Sequence, residues 1–160
     1  MLRINKKVEY ALMSLKEMTC KNAGELTSAR EICDRFKIPF DTTAKVMQAM
    51  NSAGILCSVK GTKGGYLLAR SLESISYMDL VRLIEGKETD HFCENSKGQC
   101  ELMGLCNIST PIEELNRKLN QFLENLTLHD LFEMEPREGT SQSDPCNILG
   151  LATVTEGGQS

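Results

Sequence analysis

Three cysteines stand in one short polar stretch, Cys93-x6-Cys100-x5-Cys106, with His91 two residues ahead of the first. No helical or alternating apolar pattern precedes Leu102 there, so a buried core does not account for these thiols. Thiolates are soft ligands that suit zinc or iron–sulfur clusters, and three on one loop leave one position for a weaker, exchangeable ligand. The spacing is compatible with an iron–sulfur centre and with a structural Cys3His zinc site completed by His91. A small thiol redox enzyme is a third class, disfavoured because the chain has no Cys-x-x-Cys, no phosphate-binding glycine motif between strand and helix and no acid/base pair. Cys20, Cys33 and Cys57 fall in apolar-periodic segments and are expected to be small buried hydrophobes, while Cys146 lies in a Gly-, Ser- and Thr-rich tail. Seven cysteines, an odd count without an export signal, do not suggest a structural disulfide framework.

A second chemistry is written in the charge. The net value is −4, yet residues 1–72 hold 12 Lys/Arg against 6 Asp/Glu, and residues 73–160 hold 6 against 16. Such asymmetry suggests a basic module that meets a polyanion, joined to an acidic module with another task. At 160 residues the chain is one domain, or a small domain with an appendage, which excludes a large multidomain enzyme. With 41% hydrophobic residues, 5% aromatics and no Trp, the core must be aliphatic. No apolar stretch approaches the about 18 residues of a membrane span, and no signal peptide is evident, so a cytoplasmic protein without a membrane partner is expected.

The elements that must position these groups follow from periodicity. A helix from about Asn5 to Cys20 places Val8, Leu12, Leu15 and Met18 or Thr19 at three-to-four-residue spacing. A second starts at the capping box Ser28-x-x-Glu31, buries Ile32 and Phe36, and is expected to stop before Pro39. The third is predicted to be capped by Asp41, to bury Val46, Met50 and Ala53, and to end at Gly54. Ile55 to Lys60 and Tyr66 to Ala69 then read as a hairpin around the glycine-rich tip Gly61-Thr62-Lys63-Gly64-Gly65. Ser76-x-x-Asp79 opens a fourth helix, carrying Met78, Leu80, Val81 and Ile84 and closed by Gly86. The fold class is mainly α with a small β-hairpin, a winged helix-turn-helix followed by a long dimerisation helix.

In a helix-turn-helix the second helix of the pair enters the major groove of double-stranded DNA. Here Ala44, Lys45 and Gln48 are expected to project outward, with Thr42 and Thr43 in the first turn near the groove. Gln can bond adenine through two hydrogen bonds, Lys can reach guanine or phosphate, and a methyl can meet that of thymine. Lys60 and Lys63 on the wing would contact phosphate or the adjacent minor groove. Further on, Thr110 as cap, Pro111 at the first helical position and Glu113 start a helix whose Ile112, Leu115, Leu119, Phe122 and Leu126 form a seam of about two heptads, read as a homodimer contact. The expected layout is residues 1–86 for DNA binding, 87–109 for the cysteine loop, 110–133 for dimerisation and 134–160 as a disordered tail.

Four stretches together resemble a known family: Lys7-Val8-Glu9-Tyr10-Ala11-Leu12, the wing from Val59 to Leu68, the cysteine triplet, and Thr127-Leu128-His129-Asp130-Leu131. They resemble the IscR/NsrR/RirA-type regulators of the Rrf2 superfamily, over residues 1 to about 133. The resemblance implies a dimeric winged-helix transcription factor, not an enzyme, whose cysteine loop binds an iron–sulfur cluster. The state of that cluster, responding to iron, nitric oxide or redox conditions, would control operator affinity. In the IscR branch the fourth ligand is a His three residues after the last Cys, and here that position is Ser109. In the nitric-oxide and iron-sensing branch a carboxylate from the first helix of the other subunit completes the site, and Glu9 of the partner subunit occupies that place. His91 is the rival ligand. The missing His and the likeness to this branch favour a 4Fe-4S over a 2Fe-2S cluster.

Overall fold

The computed structural model of the chain describes residues 4–61, 64–86 and 105–134. Helix α1, Lys6–Thr19, starts where the Asn5 side chain accepts the Lys7 amide at 3.0 Å. Val8, Ala11, Leu15 and Met18 form its buried stripe, and Leu12 lies at the edge, half-buried. Helix α2, Ala29–Phe36, opens on the expected capping box, the Glu31 amide donating to Ser28 Oγ at 3.1 Å and the Ser28 amide to Glu31 Oε2 at 3.4 Å. Lys21 ties the preceding loop to this box, its Nζ donating to the Leu26 carbonyl at 3.1 Å and to Glu31 Oε1 at 2.5 Å.

Helix α2 ends before Pro39, as expected. The helix ends two residues earlier, at Lys37, which adopts the left-handed conformation with φ 55°. A side chain with a Cβ pays for that conformation in steric crowding, and glycine does not. Lys37→Gly is therefore expected to stabilise the protein by about 0.5–1 kcal/mol, a rise of roughly 2–4 °C in melting temperature. A melting temperature unchanged or lowered in Lys37→Gly would show that the Lys37 side chain makes a compensating contribution.

Helix α3, Phe40–Ser52, is capped by Pro39 rather than Asp41. The Thr43 amide and hydroxyl both turn back to the Pro39 carbonyl, at 3.2 and 2.8 Å, which sets the cap two residues ahead of the predicted one. Asp41 then lies inside that turn, where a carboxylate meets the positive end of the helix dipole. The other end is a full Schellman closure: Gly54, φ 71°, donates to the Asn51 carbonyl and Ile55 to that of Met50, while the Ile55 and Met50 side chains are both buried. Ala53, expected inside, sits after the last helical turn and is exposed.

The chain returns as an antiparallel hairpin of β1, Leu56–Val59, and β2, Gly65–Leu68, with Leu56 opposite Leu68 and Val59 opposite Gly65. Thr27 adds a third, single-residue rung, exchanging backbone hydrogen bonds with Tyr66 at 3.0 and 2.9 Å. Gly65 is needed for that approach, since a Cβ there would stand 3.0 Å from the Thr27 carbonyl oxygen. Along β1, Leu56 is buried and Cys57 is exposed, correcting the expectation of a buried thiol. The alternation of a strand sends neighbours to opposite faces, which overrides the apolar run Ile55-Leu56-Cys57.

A single 3₁₀ turn, Leu72–Ser74, leads to α4, Tyr77–Glu85, which has the predicted Ser76/Asp79 capping box and closes at left-handed Gly86. Helix α4 packs on α1 and α3 with Met78, Leu80 and Val81 buried, so the core is aliphatic and methionine-rich, with Met18, Met47 and Met50 in it as well. Helix α5, Ser109–Asn125, packs on α4, and α6, Leu128–Glu133, follows. Thr110 is not the cap of α5, because Ser109 is already helical and Ile108 holds the cap position. The α5–α6 junction is fastened to the α4 entry by Tyr77 N–H to Leu126 O at 2.8 Å and Leu128 N–H to Ile75 O at 2.9 Å. Lys16 of α1 adds a hydrogen bond to the Phe132 carbonyl at 3.0 Å. The tail beyond residue 134, with Cys146, lies outside the described residues.

Candidate nucleic-acid interface and thiol loop

Helices α2 and α3, joined through Lys37, Ile38 and Pro39, make the helix-turn-helix pair. The inward stripe of α3 is Thr43, Val46, Met47 and Met50. Thr43, expected near the groove, is fully buried, and its hydroxyl is already bonded to the Pro39 carbonyl. Its position three residues before Val46 and seven before Met50 placed it on the core face from the start. On the opposite face Asp41, Lys45 and Gln48 are exposed at i, i+4 and i+7, with Thr42 and Ala44 half-buried beside them. Asp41 was read from sequence only as a cap; released from that role, it belongs to the outward row. An Asp there can accept from the amino group of cytosine.

Lys60 is exposed where β1 leaves the sheet, beside Val59, and Lys63 lies outside the described residues. A further pair at this end of the molecule had no clear sequence signal. Phe40, the first residue of α3, is 46% exposed, and the Arg30 guanidinium of α2 lies over its ring, 5.2 Å from the centroid.

Cys106 is half-buried just ahead of α5, has a free thiol, and its carbonyl accepts the Ser109 hydroxyl at 3.2 Å. Cys93, Cys100 and His91 lie outside the described residues. Glu9, on α1, is half-buried and paired with Lys6 at 2.7 Å, and that hydrogen bond holds the Lys6 ammonium pKa above its ordinary value. Among the described residues no group of three or more His, Cys, Asp or Glu is gathered into a metal site. Cys33 is buried as expected, whereas Cys20, expected to be a small buried hydrophobe, is half-buried at the end of α1 and disulfide-bonded, which corrects the reading of seven reduced thiols.

The apolar seam of α5 splits in two. Ile112, Leu119 and Leu126 are half-buried, and Asn116 and Leu123 are buried. Ile108, Leu115 and Phe122, spaced by seven, form a separate row, Leu115 and Phe122 each 56% exposed. Charges hold the solvent flank: Arg117 hydrogen-bonds Glu114 at 2.8 Å and, with Lys118, holds that carboxyl down to about 2.

Comparison with known proteins agrees with this architecture. The Rrf2 family, described as an iron-dependent transcriptional regulator, matches residues 4–134. An HTH-type regulator of Aquifex aeolicus is 30% identical over 132 residues, covering 81% of this chain and 91% of that one. The HTH-type transcriptional regulator IscR of Vibrio parahaemolyticus is 26% identical over 156 residues, covering 98% and 90%. The structure of CymR, the global cysteine regulator of B. subtilis, superposes with a TM-score of 0.62 at 24% identity, over 85% of this chain and all of that one. No described helix is long and apolar enough to cross a membrane. With the winged helix, the outward polar row of α3 and the family match over residues 4–134 all in agreement, the chain belongs to the Rrf2 family of transcriptional regulators and is not an enzyme.

Proposed function

We propose that this protein is a homodimeric repressor or activator that reads a two-fold operator in double-stranded DNA, and that an iron–sulfur cluster in its cysteine loop controls operator affinity. The observation that carries the DNA reading is the exposed row Asp41, Lys45 and Gln48 on the second helix of the pair, flanked by Lys60 at the wing. One such helix reads a half-site, and the exposed row Ile108, Leu115 and Phe122 offers a two-fold contact to a second copy. Residues 1–86 then bind DNA, 87–109 hold the cluster and 110–133 pair the subunits.

The donor set fits such a cluster: three thiols within one short stretch, one of them, Cys106, free and half-buried beside the start of α5. A thiolate-held cluster supplies a centre whose charge and integrity change with iron, nitric oxide or oxidant. Cys93, Cys100 and Cys106 would anchor it, with Glu9 of the partner subunit or His91 as the fourth ligand and a 4Fe-4S form favoured. A carboxylate oxygen is the harder donor and leaves more readily than sulfur. Cys106 stands next to α5, and the junction after α5 is fastened to the winged module by the Ser76–Thr127 bridge, so a change of cluster state at Cys106 would act on the helix that pairs the subunits.

The test is anaerobic purification with iron, sulfide and zinc analysis, followed by titration of duplexes selected from random-sequence DNA. Iron and sulfide together with an affinity that changes on cluster loss are expected; stoichiometric zinc in a colourless protein would overturn the cluster. Gln48→Ala should change which base pairs are preferred. Lys60→Ala should weaken all sequences alike and lower the salt slope by about one. A salt slope untouched by Lys60→Ala would remove the wing from the phosphate contacts.

A further inference from the structure

The described arginines divide into two kinds. Arg35 is paired with the buried Glu17 carboxylate, Arg70 donates to the Ser74 carbonyl, Arg82 pairs with Glu124, and Arg117 with Glu114. Arg30 alone among the described arginines makes no hydrogen bond or ion pair. Neither Asp34, one turn further along α2, nor Asp41, next to Phe40, is bonded to it. Its contact is with the Phe40 ring, where the guanidinium lies 5.2 Å from the centroid.

That contact holds a cation in place without using any of its five N–H donors. It is also placed at the junction of the two helices, with Arg30 in the first turn of α2 and Phe40 opening α3 one residue before Asp41, the start of the outward polar row. Phe40 is 46% exposed and outside the core, so core packing does not account for an aromatic ring at this position. A helix-turn-helix sets its first helix across the DNA backbone while the second enters the groove, which brings the first turn of α2 next to phosphate.

From these observations, and resting on the DNA-binding reading above, we propose that Arg30 is a phosphate contact of the interface and that Phe40 is its positioning residue. The ring fixes the guanidinium at the edge of the recognition helix, and the free N–H fork bonds a backbone phosphate oxygen, a planar two-donor match that lysine does not offer. The contact sets the register of α3 in the groove without reading a base.

The experiment titrates the full chain against a selected operator duplex and a scrambled duplex of equal length over a series of salt concentrations. Arg30→Ala should weaken both by about tenfold and reduce the salt slope by about one. Arg30→Lys should keep the slope and recover part of the affinity. Phe40→Leu should cost about two- to fourfold with the slope retained, and nothing further when added to Arg30→Ala. Thermal melts report folding; a Phe40→Leu variant that fails to fold leaves the two Arg30 variants to decide. Arg30→Ala with unchanged affinity and slope would overturn the contact while the regulator reading stands. A loss on the operator alone with no change of slope would make Arg30 a base reader and overturn the phosphate assignment. Absence of binding by the parent chain to any duplex would overturn the regulator reading and this contact together.

Discussion

Leu115→Asp combined with Phe122→Asp should convert the protein to a monomer and lower its affinity for a two-fold operator by at least about a hundredfold. Both side chains stand 56% exposed on the outward row of α5, so the substitutions leave the protomer core intact. Buried in a symmetric contact, each carboxylate would face its own copy in an apolar seam, where an unpaired charge is strongly disfavoured. The affinity loss follows from linkage. Two recognition helices held by one dimer make the second half-site contact intramolecular, and separating them forfeits a gain of about 10²–10⁴. Sedimentation velocity and DNA titration measure both effects. Leu119→Asp is the informative contrast, because Leu119 is half-buried and packs with the protomer's own core; it should lower the melting temperature as well. A dimer that survives the double substitution would place the contact on another surface.

Complete loss of the anaerobic chromophore is expected when any one of Cys93, Cys100 and Cys106 is replaced by Ala, and no loss when Cys20, Cys33, Cys57 or Cys146 is replaced. Cys33 is buried in the winged module, and Cys57 is exposed on β1, so neither belongs to the thiol loop. Glu9→Ala and His91→Ala separate the two candidates for the fourth ligand, through cluster spectra and through cluster-dependent DNA affinity. Among the described residues Glu9 has only the exposed Lys6 as its ion-pair partner, so its replacement does not disturb the core. Retention of iron and sulfide by a variant lacking all three loop cysteines would sink the assignment outright.

The contrast between elements shows how much of this was legible beforehand. Capping boxes at Ser28/Glu31 and Ser76/Asp79 were readable because each is a bond between residues three apart. The stripes of α1 and α4, the hairpin and the Gly54 and Gly86 helix ends were readable for the same reason: helical period, strand alternation and left-handed backbone preference are local properties. The short helix α6 has a local signal too, Thr127-x-x-Asp130, which separates it from the longer helix before it. Thr43 was likewise on the core face by its spacing from Val46 and Met50.

Other features depend on what stands across from them in space. An apolar seam on α5 is visible as a period, but only the position of α4 decides that Leu119 and Leu126 turn toward the protomer while Leu115 and Phe122 remain outside. Asp41 is the favoured cap by residue type, and only the bond of the Thr43 hydroxyl to the Pro39 carbonyl shows that the helix starts earlier, at Phe40. Thr27 joins the hairpin, Lys16 reaches Phe132, and Arg30 lies over Phe40 because packing brings segments together that no short-range rule connects. The family and the order of the elements as far as α5 were legible from residue type and spacing alone, since both rest on local patterns. Which face each helix leaves to solvent, and so which side chains are free to meet DNA or a second subunit, was decided only when long-range burial selected one side of each element.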